Sequence, residues 1–333
     1  MTHRALRLYM ILAASLVVAG MLTQFFANST LYGMPEVSYR YGLGVGWGIV
    51  GWLAVNRWQE FGLWNTAPVW IGALLATGGS LLLSRAVTND EGAPSGLMGL
   101  LPIFCWGAVI ANRLEVRLTE LSEPITLAIL FVWGIIMPFP ATLVGLAFLA
   151  MRSWRSPLRR SIVNANLLFV SWAAIAIAIS PYRRELFLRW IGFAELPWEY
   201  LRERVVANLN PSGTHVVLPY ANDEFLLTKL IEWQGYLPGA LVGATAVGLL
   251  VCAIIEFSRT KAGGWQQTFG LALTACLLPI AIFSLLSNFG IALVHIHGLP
   301  FFAPDMVFLI YATMLVGALF TTRSVSSHQP LLD

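Results

Sequence analysis

The chain has 333 residues, of which 57% are hydrophobic and only 11% charged, with a net charge of +3. Soluble domains carry about a quarter charged residues, and a mean hydropathy of +0.72 excludes that class. The small net charge also leaves no basic footprint for nucleic acid.

In chain order, the apolar runs predict an all-α polytopic membrane protein of about ten transmembrane helices. The first, 6–26, follows MTHRALR. It is read as a retained span, because no small-residue cleavage site with a soluble domain follows. The second, 41–55, contains YGLGVGWGIVGW, in which Gly44 and Gly48 stand four apart and Gly51 three further on. That spacing favours close helix–helix approach, with a ligand groove as the lesser reading. Spans follow at 68–84, 95–111, 125–137 and 140–151. MPFPAT, at 137–142, is read as a turn between the fifth and sixth, since two nearby prolines remove two backbone donors. The seventh span is 162–180. A long loop, 181–222, then mixes Arg183, Arg184, Arg189, Arg202 and Arg204 with Glu185, Glu195, Glu199 and Glu203. Within it RRELFLRWI and PWEYLRERVVANL read as short amphipathic helices at the membrane interface. The last spans are 225–255, 265–291 and 302–321, and the whole chain, 1–333, is one integral membrane domain.

An even number of spans puts both termini on one side. Arg4, Arg7, Arg152, Arg155, Arg159, Arg160, Arg259, Lys261 and Arg323 then gather there, and the positive-inside rule makes that side cytoplasmic. The 181–222 loop lies on the opposite, outer face. Cys105, Cys252 and Cys276 lie far apart in apolar segments and read as small core residues.

The most unusual stretch is PYANDEFLLTKLIEWQGYLPG, at 219–239. Asp223 and Glu224 stand side by side where the chain turns apolar. They suit the positive end of a helix dipole, with Asn222 or Asp223 as cap. A carboxylate in an outer cavity, its proton affinity raised by desolvation, also suits a general base. Lys229 and Glu232 are three apart and can pair on one helix face. Ionisable groups inside a span are costly and face a cavity or another charge, so the pair is read as lining or bracing a cavity. His295 and His297 in HIHG, with Asp305 nearby, lack the further ligands of a metal site. No G-x-x-x-x-G-K motif and no nucleophile-elbow serine occur.

Several of these signals, in their order, resemble the SEDS family, the FtsW/RodA/SpoVE group of membrane proteins that polymerise peptidoglycan from lipid II. SPYRREL after span seven is similar to the family's PYR-x-x-R. NDEFLLTKLIEWQGYLPGAL parallels H-T-D-F-I-F-A-V-I-x-E-E-x-G-x-x-G, with Phe225 and Glu232 matching and Gly235 and Gly239 near its glycines. LLSNFGIALVHIHGLPFF parallels N-I-G-M-x-x-x-x-x-P-x-x-G-x-P-x-P-F, with Asn288, Gly290, Gly298 and Pro300 matching. MPFPATLV falls where the family has Q-P-D-x-G-T, matching at Pro138 and Thr142. The chain departs from the pattern at four places: the family's essential Asp aligns on Glu224 and its preceding Thr on Asp223, the Asp of Q-P-D is Phe139, the Q-P-S-E motif near span four has no counterpart, and APDMVFLIYA replaces the terminal S-Y-G-G-S motif.

The resemblance implies a bacterial plasma (inner) membrane, multi-pass glycosyltransferase of cell-wall synthesis, acting in cell shape or division. Glu224, or Asp223, would activate the acceptor hydroxyl. Arg183 and Arg184 would hold the pyrophosphate of an undecaprenyl-linked substrate, with lipid-headgroup contact as the alternative. Lys229, Glu232 and Asn288 would line the substrate site. The implied partners are lipid II, membrane lipids and a single-span class B penicillin-binding transpeptidase, with no nucleic acid. No metal site is expected, and the one cofactor the reading leaves room for is a divalent cation. A non-catalytic paralogue acting as a partner- or lipid-binding scaffold, and a transporter of lipid-linked precursor, are the alternatives.

Overall fold

A computed structural model describes residues 3–27, 34–60, 175, 178, 181, 184, 199–210, 218, 225–259, 265–291 and 298–326. Among these residues the protein is all-helical, with no strand. The helices are α1 (His3–Ala27), α2 (Met34–Glu60), α3 (Glu199–Leu209), α4 (Leu226–Gln234), α5 (Tyr236–Arg259), α6 (Trp265–Asn288) and α7 (Met306–Ser326). The expected spans at 68–84, 95–111, 125–137 and 140–151 lie outside the described residues. Of 162–180, Ile175 and Ala178 are described, and both are helical and exposed.

The chain divides into two compact units. One comprises Met1–Trp52, Arg189–Ala253 and Leu277–Phe320, and the other Leu53–Leu188, Ile254–Cys276 and Thr321–Asp333. The described helices lie mainly in the first. In the second, Gly270 packs directly against the Phe257 ring.

Two helices among the described residues are long and apolar enough to cross a membrane, Arg4–Phe26 and Tyr236–Arg259, with mean hydropathies of 2.0 and 2.2. At 1.5 Å per residue each exceeds the roughly 30 Å of a bilayer's hydrocarbon core. Their threonine hydroxyls are satisfied within the helix: Thr23 donates to the Ala19 carbonyl and Thr245 to that of Leu241, both at 2.7 Å.

Over the expected span 225–255 the chain forms two helices rather than one. Gly235 has φ 88° and ψ 175°, a conformation that excludes side chains, and its N–H closes α4 on the Ile231 carbonyl at 2.8 Å. Pro238 adds a second reason. In an unbroken helix its ring would meet the carbonyl of Gln234, whereas in the first turn of α5 its missing N–H costs nothing. A similar shift occurs at the last span, expected from 302. Helix α7 begins at Met306, where Asp305 accepts the Phe308 N–H at 3.4 Å and so caps it.

In the first unit, the glycines of α2 form a seam with α7. A Cβ on Gly44 would lie 2.8 Å from Leu309 Cβ, and one on Gly48 would lie 2.5 Å from Thr313 Cβ. Gly51 faces Met314. This is the close approach that the glycine spacing predicts. Tyr41 and Leu309 form a buried centre, with Val17 and Met21 of α1 packed on it. Tyr41 also donates its hydroxyl to the Phe302 carbonyl at 2.7 Å. That carbonyl belongs to a buried loop, residues 299–303, seated against Gly20 of α1. The loop is tied to itself by Phe302 and Ala303 N–H bonds to the Leu299 carbonyl. Phe301 takes φ 67°, a left-handed conformation that costs a non-glycine residue on the order of 1 kcal/mol, and burial of the loop's apolar side chains holds it there.

Candidate functional site

Helix α4 follows Asp223, Glu224 and Phe225 in the chain. Nine residues are too few for a stable isolated helix. Helix α4 packs against both α1 and α3. Its inward face, Leu226, Leu227, Thr228, Leu230 and Ile231, is buried, as is Phe225 before it. On the α1 side, Trp233 meets Phe26 with ring centroids 5.4 Å apart.

The N-terminus of α4 lacks a local cap. The N-cap position is held by Phe225, which makes no side-chain cap bond. The Thr228 N–H, which an Asp or Asn at that position would usually take, goes instead to Asn288 Oδ1 at 2.9 Å, 60 residues away in sequence. The Thr228 hydroxyl has one proton and two acceptors, Asn288 Oδ1 at 2.9 Å and the Asn288 carbonyl at 3.1 Å. Asn288 Nδ2 donates back to the Ser284 carbonyl at 2.8 Å and reaches its hydroxyl at 3.4 Å. Thr228 and Asn288 are both fully buried. The pair thus satisfies an orphan donor at the start of α4 and an orphan carbonyl at the end of α6. In an apolar surround neither group has water to turn to.

Helix α6 ends in a Schellman motif. Ile291 N–H bonds the Leu286 carbonyl at 2.9 Å, Gly290 N–H bonds that of Ser287 at 3.0 Å, and Gly290 takes φ 67°. The Gly290 carbonyl accepts Arg202 Nε of α3 at 3.0 Å. A Cβ on Gly290 would lie 2.8 Å from Val206 Cγ2 of the same helix. At the other end of α3, the Leu209 carbonyl accepts the Tyr236 hydroxyl at 2.9 Å. The helix expected in PWEYLRERVVANL is therefore present as α3, and it is tied to the end of α6, to α4 and to the start of α5.

Lys229 and Glu232 form an ion pair at 2.6 Å, their side chains 19% and 17% exposed. The three-residue spacing puts both on one side of α4, away from its apolar face. Such partly buried charges are held by mutual attraction in a surround that screens them weakly.

Of the residues expected to do chemistry, the structure brings Asn288 onto α4, one residue from the Lys229–Glu232 pair. Its side chain is engaged with Thr228 and Ser284, which makes its direct task the joining of two helices. Arg184 is helical and exposed, and it belongs to the second unit. Asp223, Glu224, Arg183, His295 and His297 lie outside the described residues. Asp305 caps α7. Among the described residues no three His, Cys, Asp or Glu side chains gather as metal ligands. Thr228 went unnoticed in the sequence. Its one signal was a small hydroxyl inside the run FLLTKLI, which reads equally as an ordinary core threonine.

No family model and no curated protein matches the chain. Among solved structures it is similar to a chain from a peptidoglycan synthase complex described for the structural coordination of polymerization and crosslinking. The TM-score is 0.68 at 18% sequence identity, over 95% of this chain and 97% of that one. At that identity the likeness is one of fold. The two long apolar helices and this shared fold make the chain a membrane protein built like one chain of a peptidoglycan synthase complex.

Proposed function

We propose that this protein is a SEDS-like glycosyltransferase that polymerises peptidoglycan strands from lipid II at the outer face of a bacterial plasma membrane. The observation that carries the reading is the fold shared over nearly the whole chain with a member of a peptidoglycan synthase complex. The ordered residue matches around PYRREL, NDEF and the Asn288–Gly290 turn support it independently.

In this reading Glu224, or Asp223, takes the proton from the acceptor hydroxyl as it attacks the anomeric carbon of the lipid-linked sugar. The bond from that carbon to the pyrophosphate breaks, and the undecaprenyl pyrophosphate leaves with the electron pair. Arg183 and Arg184 suit the departing phosphates, because guanidinium offers paired donors to phosphate oxygens. Lys229 and Glu232 line the approach; at 1.5 Å per residue Glu232 is about 12 Å along a helix from Glu224, too far to share its proton. A single-span class B transpeptidase is the partner this reading implies. A non-catalytic paralogue is the second reading, favoured by Phe139 in place of an acid and by the altered stretch around Asp305.

The test is polymerisation of labelled lipid II by purified protein, with and without the transpeptidase. Wild type is expected to form glycan strands, and Glu224→Gln to lose at least about a hundredfold in rate, the usual worth of a positioned base. Loss with Asp223→Asn alone assigns the base to Asp223. No product from folded protein that still binds lipid II makes the scaffold reading correct.

A further inference from the structure

Helices α4 and α5 meet at a bend. Gly239, in the first turn of α5, packs directly on the Ile231 side chain of α4. In one continuous helix these residues would stand about 12 Å apart along the axis. Helix α4 is therefore folded back beside the start of α5, and it packs at the same time on α1. At this junction Trp233 meets Phe26, which also meets Phe25 edge-on with ring centroids 5.2 Å apart. Phe26, Trp233, Tyr236 and Leu237 are 53%, 51%, 49% and 72% exposed. Three helices thus bring large, exposed apolar side chains to one place.

The patch stands where two apolar helices stop. Of the stretches able to cross a membrane, Phe26 ends one, Arg4–Phe26, and Tyr236 begins the other, Tyr236–Arg259. Each is roughly 35 Å long, enough to cover the hydrocarbon core of a bilayer with little to spare. Each carries exposed arginine at its far end, Arg4 and Arg7 on α1 and Arg259 on α5. Further along both helices from the patch the exposed side chains turn aliphatic, with Leu22 and Val18 on α1 and Leu241 on α5. Tyr236 divides its own side chain in the same sense. Its ring is half-exposed, and its hydroxyl donates to the Leu209 carbonyl of α3. Helix α4 also carries the partly exposed Lys229–Glu232 pair, which hydrocarbon penalises and a headgroup layer accommodates.

We infer that Phe26, Trp233, Tyr236 and Leu237 form a lipid anchor seated in the headgroup–glycerol layer of one leaflet, the outer one in the proposed topology. Helix α4 lies in that layer, and α5 alone crosses the hydrocarbon, from Tyr236 onwards. The occupant of the patch is phospholipid, for two reasons. The patch continues into the exposed aliphatic faces of the two spanning helices. Amphipathic rings at the end of an apolar span also match the layer between hydrocarbon and water. The inference does not rest on glycan polymerisation.

The test uses the full chain, with Cys105, Cys252 and Cys276 replaced by alanine, in vesicles of phosphatidylethanolamine and phosphatidylglycerol. Single nitroxides are attached through Leu22→Cys, Phe26→Cys, Gln234→Cys, Leu237→Cys and Leu241→Cys, all at exposed positions. Collision rates with oxygen, which concentrates in the bilayer core, and with a water-soluble nickel chelate give the depth of each label. The labels at 26, 234 and 237 are expected at one interfacial depth, and those at 22 and 241 about 6 Å deeper. Were a single span to run on from Phe225, position 234 would lie about 13 Å below its start, and that depth overturns the inference. Labels at 26 and 237 that meet nickel as freely as a labelled soluble peptide overturn it too, since the patch then faces water. Low collision rates with both reagents also overturn it, because protein then covers the patch. Should Phe26→Cys fail to fold, Gln234→Cys, Leu237→Cys and Leu241→Cys decide the matter without removing an aromatic ring.

Discussion

Asn288 uses its whole side-chain amide. Oδ1 accepts from two groups of Thr228 and Nδ2 donates to Ser284, all with the residue fully buried. Cutting back one partner is worse than losing a typical hydrogen bond, because the orphaned groups keep their full desolvation cost. Asn288→Ala strands both the N–H and the hydroxyl of Thr228, and is expected to destabilise the protein by about 2–4 kcal/mol. Thr228→Val removes a single hydroxyl and leaves the N–H bond in place, at a cost of about 1 kcal/mol. Thermal unfolding in detergent should therefore order the proteins wild type, Thr228→Val, Asn288→Ala, with the last melting lowest. Equal melting points for the two variants would contradict the bond pattern. Asn288→Asp should not rescue stability, since its second oxygen would stand 2.8 Å from the Ser284 carbonyl.

At the scale of elements, helix α2 carries two sets of glycines with different surroundings. Gly44 and Gly48 meet α7, whereas a Cβ on Gly42 or Gly46 meets nothing within 4 Å. A methyl on Gly48 would crowd Thr313 Cβ at 2.5 Å and the Ile310 carbonyl at 2.9 Å. Gly48→Ala is expected to cost about 1–3 kcal/mol by overpacking. Gly46→Ala, two residues away, is expected to be neutral or to gain about 0.5–1 kcal/mol from the lower backbone entropy of alanine. Melting curves of the two variants check the seam; matching curves would mean that α2 and α7 do not pack as described. The break between α4 and α5 works differently. There Gly235 is kept by its conformation, since space around it is open.

At the scale of the molecule, the proposed ten-span topology makes a definite statement about sides. In that proposal both termini and the 152–160 arginine cluster would face the cytoplasm, and the 181–222 loop would face out. In a cysteine-free chain, thiols introduced by Thr2→Cys, Ser156→Cys and Ser327→Cys should resist a membrane-impermeant reagent in intact cells. One introduced by Ser212→Cys should react. Labelling from outside at Ser156→Cys would change the span count before the seventh helix by one.

Much of this was legible in the residues. Overall hydropathy, a long first span, the short helix within PWEYLRERVVANL and the glycine seam all follow from composition and local spacing, which depend on neighbours in sequence. The ends of helices were less legible. The expected span runs through Gly235 without a break, and it was the conformation of Gly235 together with Pro238 that split it into α4 and α5. Asp305 was weighed as a metal ligand and is a helix cap. Asn222 or Asp223 was the expected cap of the helix after them; Phe225 holds that position without a side-chain bond, and the Thr228 N–H goes to Asn288. No local rule could have found that exchange. A backbone donor takes whichever acceptor the fold brings within about 3 Å, and the one brought to Thr228 lies 60 residues further along the chain. Among the described residues, patterning thus indicated which segments are apolar and helical, because apolarity is a property of a segment's own side chains. The pairing of Thr228 with Asn288, and of Arg202 with Gly290, arose from packing between segments, because directional bonds exist only where two distant pieces of backbone already meet.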